Sequence, residues 1–179
     1  MLVPMLGALA LASRRRDVVA GGLWMLAAAV KAPALFLLPL QLVRSRRHFW
    51  AGCAVAGMAG SLAATLVFGS NWLTIGRLGQ NEARYAIPVR LEQFGVPDRP
   101  AHLIAAATLA VGALWLLRQA LQGRTRLALG ACLLVLTSPW LLPWYATWPV
   151  ALAAVEEDAV AQALALAIAA YLLPARVPF

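Results

Sequence analysis

The sequence predicts an all-α fold, specifically a polytopic helical membrane protein whose helical hairpins are broken by proline. Of the 179 residues, 63% are hydrophobic and 12% are charged, and the mean hydropathy is +0.77. Apolar stretches that contain proline and tryptophan alternate with arginine clusters. A water-soluble domain of this length cannot bury so much apolar surface, so lipid must be the solvent. We therefore expect a single transmembrane domain over residues 1–179, multi-pass in the plasma membrane.

The basic residues predict the orientation in the bilayer. The formal net charge of +8 comes from 15 basic and 7 acidic residues. Three basic clusters flank apolar runs: Arg14–Arg16, then Arg44 with Arg46, Arg47 and His48, then Arg118 with Arg124 and Arg126. Such clusters mark the cytoplasmic side of membrane helices. Nucleic-acid binding is excluded, because that function needs basic residues interleaved with polar and aromatic ones on a soluble face.

The first apolar stretch, residues 1–12, is too short to span the ~30 Å hydrocarbon core. Its basic residues follow the apolar run instead of preceding it, so it lacks the pattern of a signal peptide. We expect it to form the second half of a membrane helix. This implies that the chain is a fragment or a shortened form of a larger protein.

The stretch from Asp17 to Val43 predicts a broken membrane segment. Asp17 is expected to cap a helix that starts at Val18. Pro33 must kink or end that helix after Lys31, because proline lacks the backbone donor and clashes with the preceding turn. Two arrangements fit: a hairpin of two short helices with both basic clusters in the cytoplasm, or one kinked span with one cluster outside. The hairpin is preferred, since each arm is short for a full crossing.

A single uninterrupted membrane span is predicted over Trp50–Phe68. Small residues at four-residue spacing form two stripes on it, which favours close packing by another helix. The stripes are Gly52, Ala56, Gly60 and Ala64, and Cys53, Gly57, Ser61 and Thr65. Because this span starts at a cytoplasmic cluster, the polar residues 69–100 are expected to form an external loop. Within it, Val89–Phe94 is expected to form one or two helical turns.

The second half of the chain repeats this design. A span over His102–Leu117 is expected to begin near Asp98 and Pro100, since proline is tolerated in the first turn of a helix. Two prolines within Ser138–Tyr145 predict a second break. The apolar arms around and after this break are Leu127–Thr137, Ala146–Val155 and Ala159–Leu173. The acidic run 156–158 is expected to cap the last of them.

Lys31 and an aromatic cluster are the candidate binding residues. A charged lysine within a membrane segment costs about 2.5–3.5 kcal/mol on insertion scales. Lys31 therefore either holds a phosphate or pyrophosphate, or snorkels to the interface from a hairpin tip. Trp144 and Tyr145, with Trp140 and Trp148, form either an aromatic belt or a platform that stacks on a sugar ring or guides a lipid.

The other polar residues carry weaker signals. In the loop, Arg84, together with Arg77 and Arg90, is a candidate for binding an anionic headgroup, and Glu82 is a candidate acid–base group. A solvated loop with scattered ion pairs is the alternative. Cysteine and histidine do not occur at metal-binding spacings in the sequence. Small buried thiols are expected at Cys53 and Cys132, and lone interfacial side chains at His48 and His102.

Several short motifs occur together in a known group of enzymes. They are the run Arg14–Leu23, Lys31-Ala32-Pro33, Leu37-Leu38-Pro39 followed by Arg46-Arg47, and Ser138-Pro139-Trp140 with Pro143-Trp144-Tyr145 and Trp148-Pro149. With these motifs the chain resembles the GT-C type integral-membrane glycosyltransferases. Within them it is most similar to the actinobacterial family 87 and polyprenol-phosphate mannosyltransferase-like group. The resemblance covers most of residues 7–175.

The resemblance implies transfer of a sugar, with mannose as one candidate, from a polyprenyl-phosphate donor to an extracytoplasmic acceptor. The reaction would be a direct displacement at the anomeric carbon. It places Lys31 at the donor phosphate and Trp144 with Tyr145 in the cavity wall, and Arg84 joins them as a substrate-binding candidate. The acidic residue that such enzymes carry in their first external loop has no match here. The catalytic residue is therefore unknown, and the chain is expected to be the C-terminal portion of the fold.

The implied partners are the lipid bilayer, the polyprenyl-phosphate-linked sugar and a membrane protein that supplies the missing N-terminal part. No cofactor is evident and no residue is assigned to a metal, although some relatives use a divalent ion at the departing phosphate. Two other classes stay open. One is a noncatalytic membrane subunit, and the other is a lipid or solute transporter, in which broken helices with a nearby charge also occur.

Overall fold

The computed structural model describes residues 1–31, 33–69, 86–139 and 143–172. Within these ranges every regular element is helical and no strand occurs, which confirms the all-α fold. The chain divides into two compact units, Met1–Leu78 and Gly79–Phe179. The helices of the first unit are α1 Leu2–Ser13, α2 Asp17–Val30, α3 Pro33–Arg44 and α4 Arg47–Phe68. Those of the second are α5 Ile87–Gln93, α6 Asp98–Leu121, α7 Leu127–Thr137, α8 Thr147–Glu156 and α9 Ala159–Leu172, with a 3-10 turn over Pro143–Ala146.

In the first unit, α1 and α2 form an antiparallel pair joined by the tight turn Arg14–Arg16. Gly7 of α1 faces Leu23 of α2. The backbone N–H of Arg16 donates to a carbonyl of the last turn of α1 at 2.9 Å. Arg15 has φ 61°, a left-handed position that glycine usually occupies after a helix. The turn satisfies carbonyls at the end of α1 and leaves three arginine side chains exposed.

α2 and α4 pack side by side with their backbones in direct contact at two glycines. A β-carbon on Gly52 would overlap the carbonyl oxygen of Val18, and one on Gly21 would overlap that of Phe49. Only glycine permits so close an approach. The facing positions rise together along both helices: 18 lies against 52, 21 against 49 and 53, 22 against 56, and 25 against 57. The two helices therefore run parallel.

The parallel register requires α3 to carry the chain back, because α2 and α4 start at the same end of the unit. The break at Lys31 is bridged by Trp24, whose Nε1 donates to the Ala34 carbonyl at 2.9 Å. At the other end of α3, Trp50 donates from Nε1 to the Leu42 carbonyl at 3.1 Å. Of the two arrangements predicted for this stretch, the structure has the Pro-broken hairpin.

In the second unit, α7 and α8 form a short antiparallel hairpin that is closed at its base. The Glu156 carboxylate accepts hydrogen bonds from the N–H groups of Leu127 at 2.8 Å and Ala128 at 2.9 Å. The arms have 11 and 10 residues, or about 15 Å each at ~1.5 Å per residue. α6 and α9 pack against the hairpin. Each arm is therefore about half as long as a ~30 Å hydrocarbon core is thick.

α4 and α6 are long and apolar enough to cross a bilayer. They have 22 and 24 residues, with mean hydropathy 1.7 and 1.8 over an 18-residue window of which 11% is buried. At ~1.5 Å per residue their lengths of about 33 and 36 Å match a ~30 Å core. These two helices indicate membrane insertion. The single domain over residues 1–179 and the external position of residues 69–100 stay predictions.

The helix ends differ from the predictions at the acidic residues. Asp17 lies in the first turn of α2, and no side-chain capping bond forms at that N-terminus. Glu156 was expected to cap α9, but it caps α7 across the hairpin base. Asp158 does cap α9, since its Oδ1 accepts from the N–H groups of Val160 at 3.1 Å and Ala161 at 3.2 Å. The partner of Glu156 is distant in sequence, so a local pattern does not reveal it.

Candidate functional site

The first candidate site is the tip of the α2–α3 hairpin, where Lys31 lies. Lys31 is the only lysine of the chain, and it is half-buried. It is the C-cap of α2, with an extended backbone at φ −156° and ψ 130°, and Pro33 starts the next helix. A cation is favoured at a helix C-terminus because the last carbonyl groups carry a partial negative charge. The helix end therefore gives a local reason for a lysine at this position.

A buried tryptophan holds this tip in place. Trp24 is fully buried, and its indole N–H is satisfied by the Ala34 carbonyl, as a buried tryptophan requires. Its ring meets Phe49 edge to face, with centroids 6.3 Å apart. Because these residues belong to α2, α3 and α4, all three helices fix the backbone on which Lys31 stands.

The direction of α2 gives the end of the first unit at which Lys31 lies. α2 starts after the turn Arg14–Arg16 and ends at Val30, so Lys31 follows the far end of that helix. Because α2 and α4 run parallel, the basic residues at the start of α4 also lie at the end opposite Lys31.

The second candidate site is the aromatic tip of the α7–α8 hairpin. Tyr145 packs on Trp148, with ring centroids 4.6 Å apart and the planes tilted by 38°. Trp144 meets Tyr145 edge to face at 6.3 Å. Trp148 is buried, whereas Trp144 is 49% exposed. The Thr147 hydroxyl donates to the Trp144 carbonyl at 2.7 Å and holds the turn. The cluster thus contains a buried ring, that of Trp148, and an exposed ring, that of Trp144.

The backbone departs from α-helical geometry at this tip. Ser138 ends α7 with an extended backbone at φ −69° and ψ 135°, and a 3-10 turn covers Pro143–Ala146. Both interpretations of the aromatic residues, an interfacial belt and a cavity wall, stay predictions.

An ion pair joins the base of the α7–α8 hairpin to the start of α9. The Arg126 guanidinium donates to both carboxylate oxygens of Asp158, at 2.7 and 3.0 Å, and lies 5.7 Å from the ring centroid of Trp115 on α6. This hydrogen bond lowers the pKa of Asp158 from its ordinary value, while burial opposes the shift. In the sequence Arg126 belongs only to a basic cluster, so its partner was missed.

A third group of polar residues lies at the α5–α6 turn. Glu92, Asp98 and His102 bring potential metal-ligand atoms within 4.8 Å of one another. His102 Nδ1 is 2.9 Å from Asp98 Oδ1 and 3.8 Å from Glu92 Oε1. It is also 3.1 Å from the Asp98 carbonyl oxygen, an arrangement that an imidazole N–H satisfies by hydrogen bonding. The prediction that His102 stands alone is corrected, because the turn brings both carboxylates to it.

The predicted site residues fall in different parts of the chain. Lys31 lies at a tip in the first unit, and Trp144 and Tyr145 lie at a tip in the second. Arg84 lies outside the described residues, as do Arg77, Glu82 and Trp140, so the roles assigned to them stay predictions. Sequence reasoning did not single out Trp24, although a tryptophan seven residues before a proline-broken turn was the available signal.

Two helices long and apolar enough to cross a bilayer, together with short proline-broken hairpins, indicate a helical membrane protein. Within that class, a comparison with known protein families matches residues 1–143 to Glycosyltransferase family 87, and the chain belongs to this family. The matched region contains Lys31 and ends at Pro143, immediately before Trp144. No curated protein and no solved structure matches the chain. The predicted glycosyltransferase class is confirmed at the level of the family.

Proposed function

We propose that the protein is a multi-pass membrane glycosyltransferase of GT-C type that uses a polyprenyl-phosphate-linked sugar. The sugar, with mannose as the first candidate, is transferred to an acceptor outside the cytoplasm. The observation that carries the proposal is the family match over residues 1–143. That region includes the hairpin tip on which the only lysine of the chain stands.

The level of Lys31 supports a role at the donor phosphate. Lys31 lies near the end of the first unit that is opposite the arginine turns, and the positive-inside rule assigns those turns to the cytoplasm. The ammonium group would then face the extracytoplasmic headgroup region. A compact, hydrated cation suits a phosphate that must be bound and released. Developing negative charge on the departing phosphate would be stabilised by it in the transition state.

The aromatic tip of the second unit supports a role in holding the sugar or the lipid. Trp144 presents an open ring, and Tyr145 is held from behind by Trp148. Arg84 is kept as a proposed contact of the substrate. We assign no catalytic base, and a partner membrane protein is the proposed source of one.

The proposal is tested by sugar transfer in membranes from cells that carry each variant at the chromosomal locus. The donor is a radiolabelled polyprenyl-phosphate mannose. We expect Lys31→Ala to lower transfer by about a hundredfold, since one charged contact to a transition state is worth roughly 2–3 kcal/mol. Lys31→Arg should retain part of the activity because the charge is kept. Arg118→Gln, which removes an exposed charge from the second unit, is the matched control.

Three results would contradict specific parts of the proposal. Transfer from a nucleotide sugar, and not from the lipid-linked donor, would overturn the donor class. Wild-type rates with Lys31→Ala would remove Lys31 from the site. Labelling of a different polypeptide by a photoreactive donor, together with loss of transfer when this chain is deleted, would favour the noncatalytic subunit.

A further inference from the structure

Two basic turns that are distant in sequence come together at one end of the first unit. α2 and α4 run parallel and touch close to their starts, with Val18 against Gly52 and Gly21 against Phe49. The turn before α2 and the turn before α4 therefore lie at the same end of the unit and share one surface. We define the basic surface as six side chains, all of them exposed: Arg14, Arg15, Arg16, Arg46, Arg47 and His48.

The charge on this surface is not balanced within the unit. Among the described residues of the first unit, Asp17 is the single acidic side chain, and it is half-buried. Five guanidinium groups on one surface repel each other, and that repulsion is relieved by anions from outside the protein. The basic surface is therefore complementary to a negatively charged partner.

Two observations place this surface at the level of lipid headgroups. Trp50, one turn into α4, is 52% exposed, and its indole N–H donates to the Leu42 carbonyl at 3.1 Å. An exposed tryptophan with a satisfied N–H is typical of the membrane interface. Beyond it along α4 the large exposed side chains are apolar, including Val55, Met58 and Leu62, and the exposed polar ones are the uncharged Ser61 and Thr65. The change from basic to apolar surface marks the boundary between headgroups and acyl chains.

We propose that the basic surface binds the headgroups of anionic phospholipids in the leaflet next to the starts of α2 and α4. The partner is a lipid headgroup and not a soluble anion, because the surface borders the exposed apolar face of α4. Clusters of four to eight basic residues beside a membrane helix recruit anionic lipids in this way. The proposal goes beyond sugar transfer, although it rests on the membrane placement of the chain.

Binding of a fluorescent phosphatidylglycerol to the purified full chain in nonionic detergent tests the proposal. The triple variant Arg14→Gln, Arg16→Gln and Arg47→Gln removes three charges from the basic surface. The matched control, Arg99→Gln, Arg118→Gln and Arg124→Gln, removes three exposed charges from the second unit. Both variants carry a net charge of +5, which is +8 less 3. We expect the first to lose at least about tenfold in affinity and the control to bind like the wild type.

Arg15→Gly gives a second, independent test. Glycine suits the left-handed backbone of this residue, at φ 61°, because it has no β-carbon, so the variant should be at least as stable as the wild type to heat. It should nevertheless bind phosphatidylglycerol more weakly, by about threefold. Lower affinity without loss of stability cannot be attributed to unfolding.

Equal losses in both triple variants would overturn the proposal, because net charge alone would then explain binding. So would equal affinity for phosphatidylglycerol and phosphatidylcholine, or full displacement of the lipid by inorganic phosphate at the same concentration. Extraction of the wild type from membranes by alkaline carbonate would instead overturn the membrane placement. A failure of this proposal is thus distinguishable from a failure of the proposed enzyme.

Discussion

The α2–α3 hairpin and the α7–α8 hairpin are stabilised by different kinds of interaction. In the first unit, the α2–α3 hairpin is held against α4 by backbone contact at Gly21 and Gly52 and by the buried Trp24. In the second unit, the α7–α8 hairpin is closed by the carboxylate of Glu156 and by the Arg126–Asp158 pair. Both hairpins have arms too short to cross a bilayer, so each must be fixed by neighbouring helices.

The difference follows from how closely the helices approach. Glycines let α2 and α4 meet backbone to backbone, and dispersion between many atoms then suffices without charge. In the second unit a side chain fills the corresponding space, since Leu133 lies against Gly112. There, directional charged hydrogen bonds at the hairpin base provide the specificity. The first unit should therefore respond to changes of volume, and the second to changes of charge.

Each unit contains one cysteine that can report on its stability, because its thiol is buried between two helices. Cys53 is buried between α4 and α2, and its thiol lies 3.5 Å from the Gly21 carbonyl. Cys132 is buried between α7 and α9, 3.9 Å from the Ala161 carbonyl. These are the only two cysteines in the sequence. The rate at which each thiol reacts with dithiodipyridine, which also works at acid pH, reports the opening of its own unit.

The largest expected effect is that of Gly52→Ala. The added β-carbon would overlap the Val18 carbonyl oxygen, and backbone cannot rotate away, so we expect a loss of about 3 kcal/mol in the free energy of unfolding. The Cys53 thiol should become reactive while Cys132 stays protected. In Gly112→Ala the new atom meets the Leu133 side chain at 2.6 Å, which can move, so the loss should stay below about 1 kcal/mol. Similar losses in both variants would refute the proposed difference between the interfaces.

The next largest effect is expected for Asp158→Asn, which removes the ion pair with Arg126 at the base of the α7–α8 hairpin. Asp158 and Arg126 have side chains that are 14% and 27% exposed, and removing one partner leaves a partly buried guanidinium without its counter-charge. We expect a loss of about 2–3 kcal/mol, with Cys132 becoming reactive first. Asp17→Asn is the control, because no side chain caps the start of α2. The idea is wrong if the two asparagine variants unfold alike.

We also expect acid to destabilise the second unit and to leave the first unit unchanged. The pKa of Asp158 is lower in the folded protein than its ordinary value, so the ionised carboxylate stabilises the fold above that ordinary value. This contribution is lost as the pH falls below about 4 and through the folded pKa. Cys132 should therefore become reactive on acidification while Cys53 stays protected. Asp158→Asn should remove this loss of stability in acid, and the pH dependence that remains should be the opposite one of Glu156, whose pKa is raised by burial. An unchanged acid response in the variant would assign it to another group.

The smallest expected effect is a gain in stability from Glu157→Gly. Glu157 ends α8 with φ 54°, where glycine avoids the steric cost of a side chain. We expect up to about 1 kcal/mol of stabilisation, measured by thermal unfolding in detergent. Glu156→Gly is the contrast, because it removes the acceptor of two backbone N–H groups and should destabilise. A loss of stability with Glu157→Gly would show that its carboxylate has a partner role.

Local patterns in the sequence predicted most of the helices and both breaks. Pro33 ends one helix because its ring excludes the backbone donor, and the two prolines near Trp140 do the same for the next break. The long apolar runs predicted α4 and α6 within a few residues. The cap at Asp158 was also predicted, since its partners lie two and three residues away.

Contacts over long sequence separations were not predictable in this way. Glu156 meets Leu127 and Ala128 because the hairpin folds back, and Arg126 finds Asp158 for the same reason. The small-residue stripe of α4 predicted close packing, but its register against α2 was not encoded in the stripe. The sequence alone proposes the lysine and the aromatic residues as site residues, and their roles stay predictions.

The amino-acid sequence by itself determined the helical class, the positions of the breaks and the family, because hydrophobicity, proline chemistry and local motifs act over a few neighbouring residues. The tertiary structure decided which helices touch, that α2 and α4 run parallel, and that two arginine turns form one surface. Those properties depend on the offset between helices, which is set by the packing of side chains and backbone from distant parts of the chain.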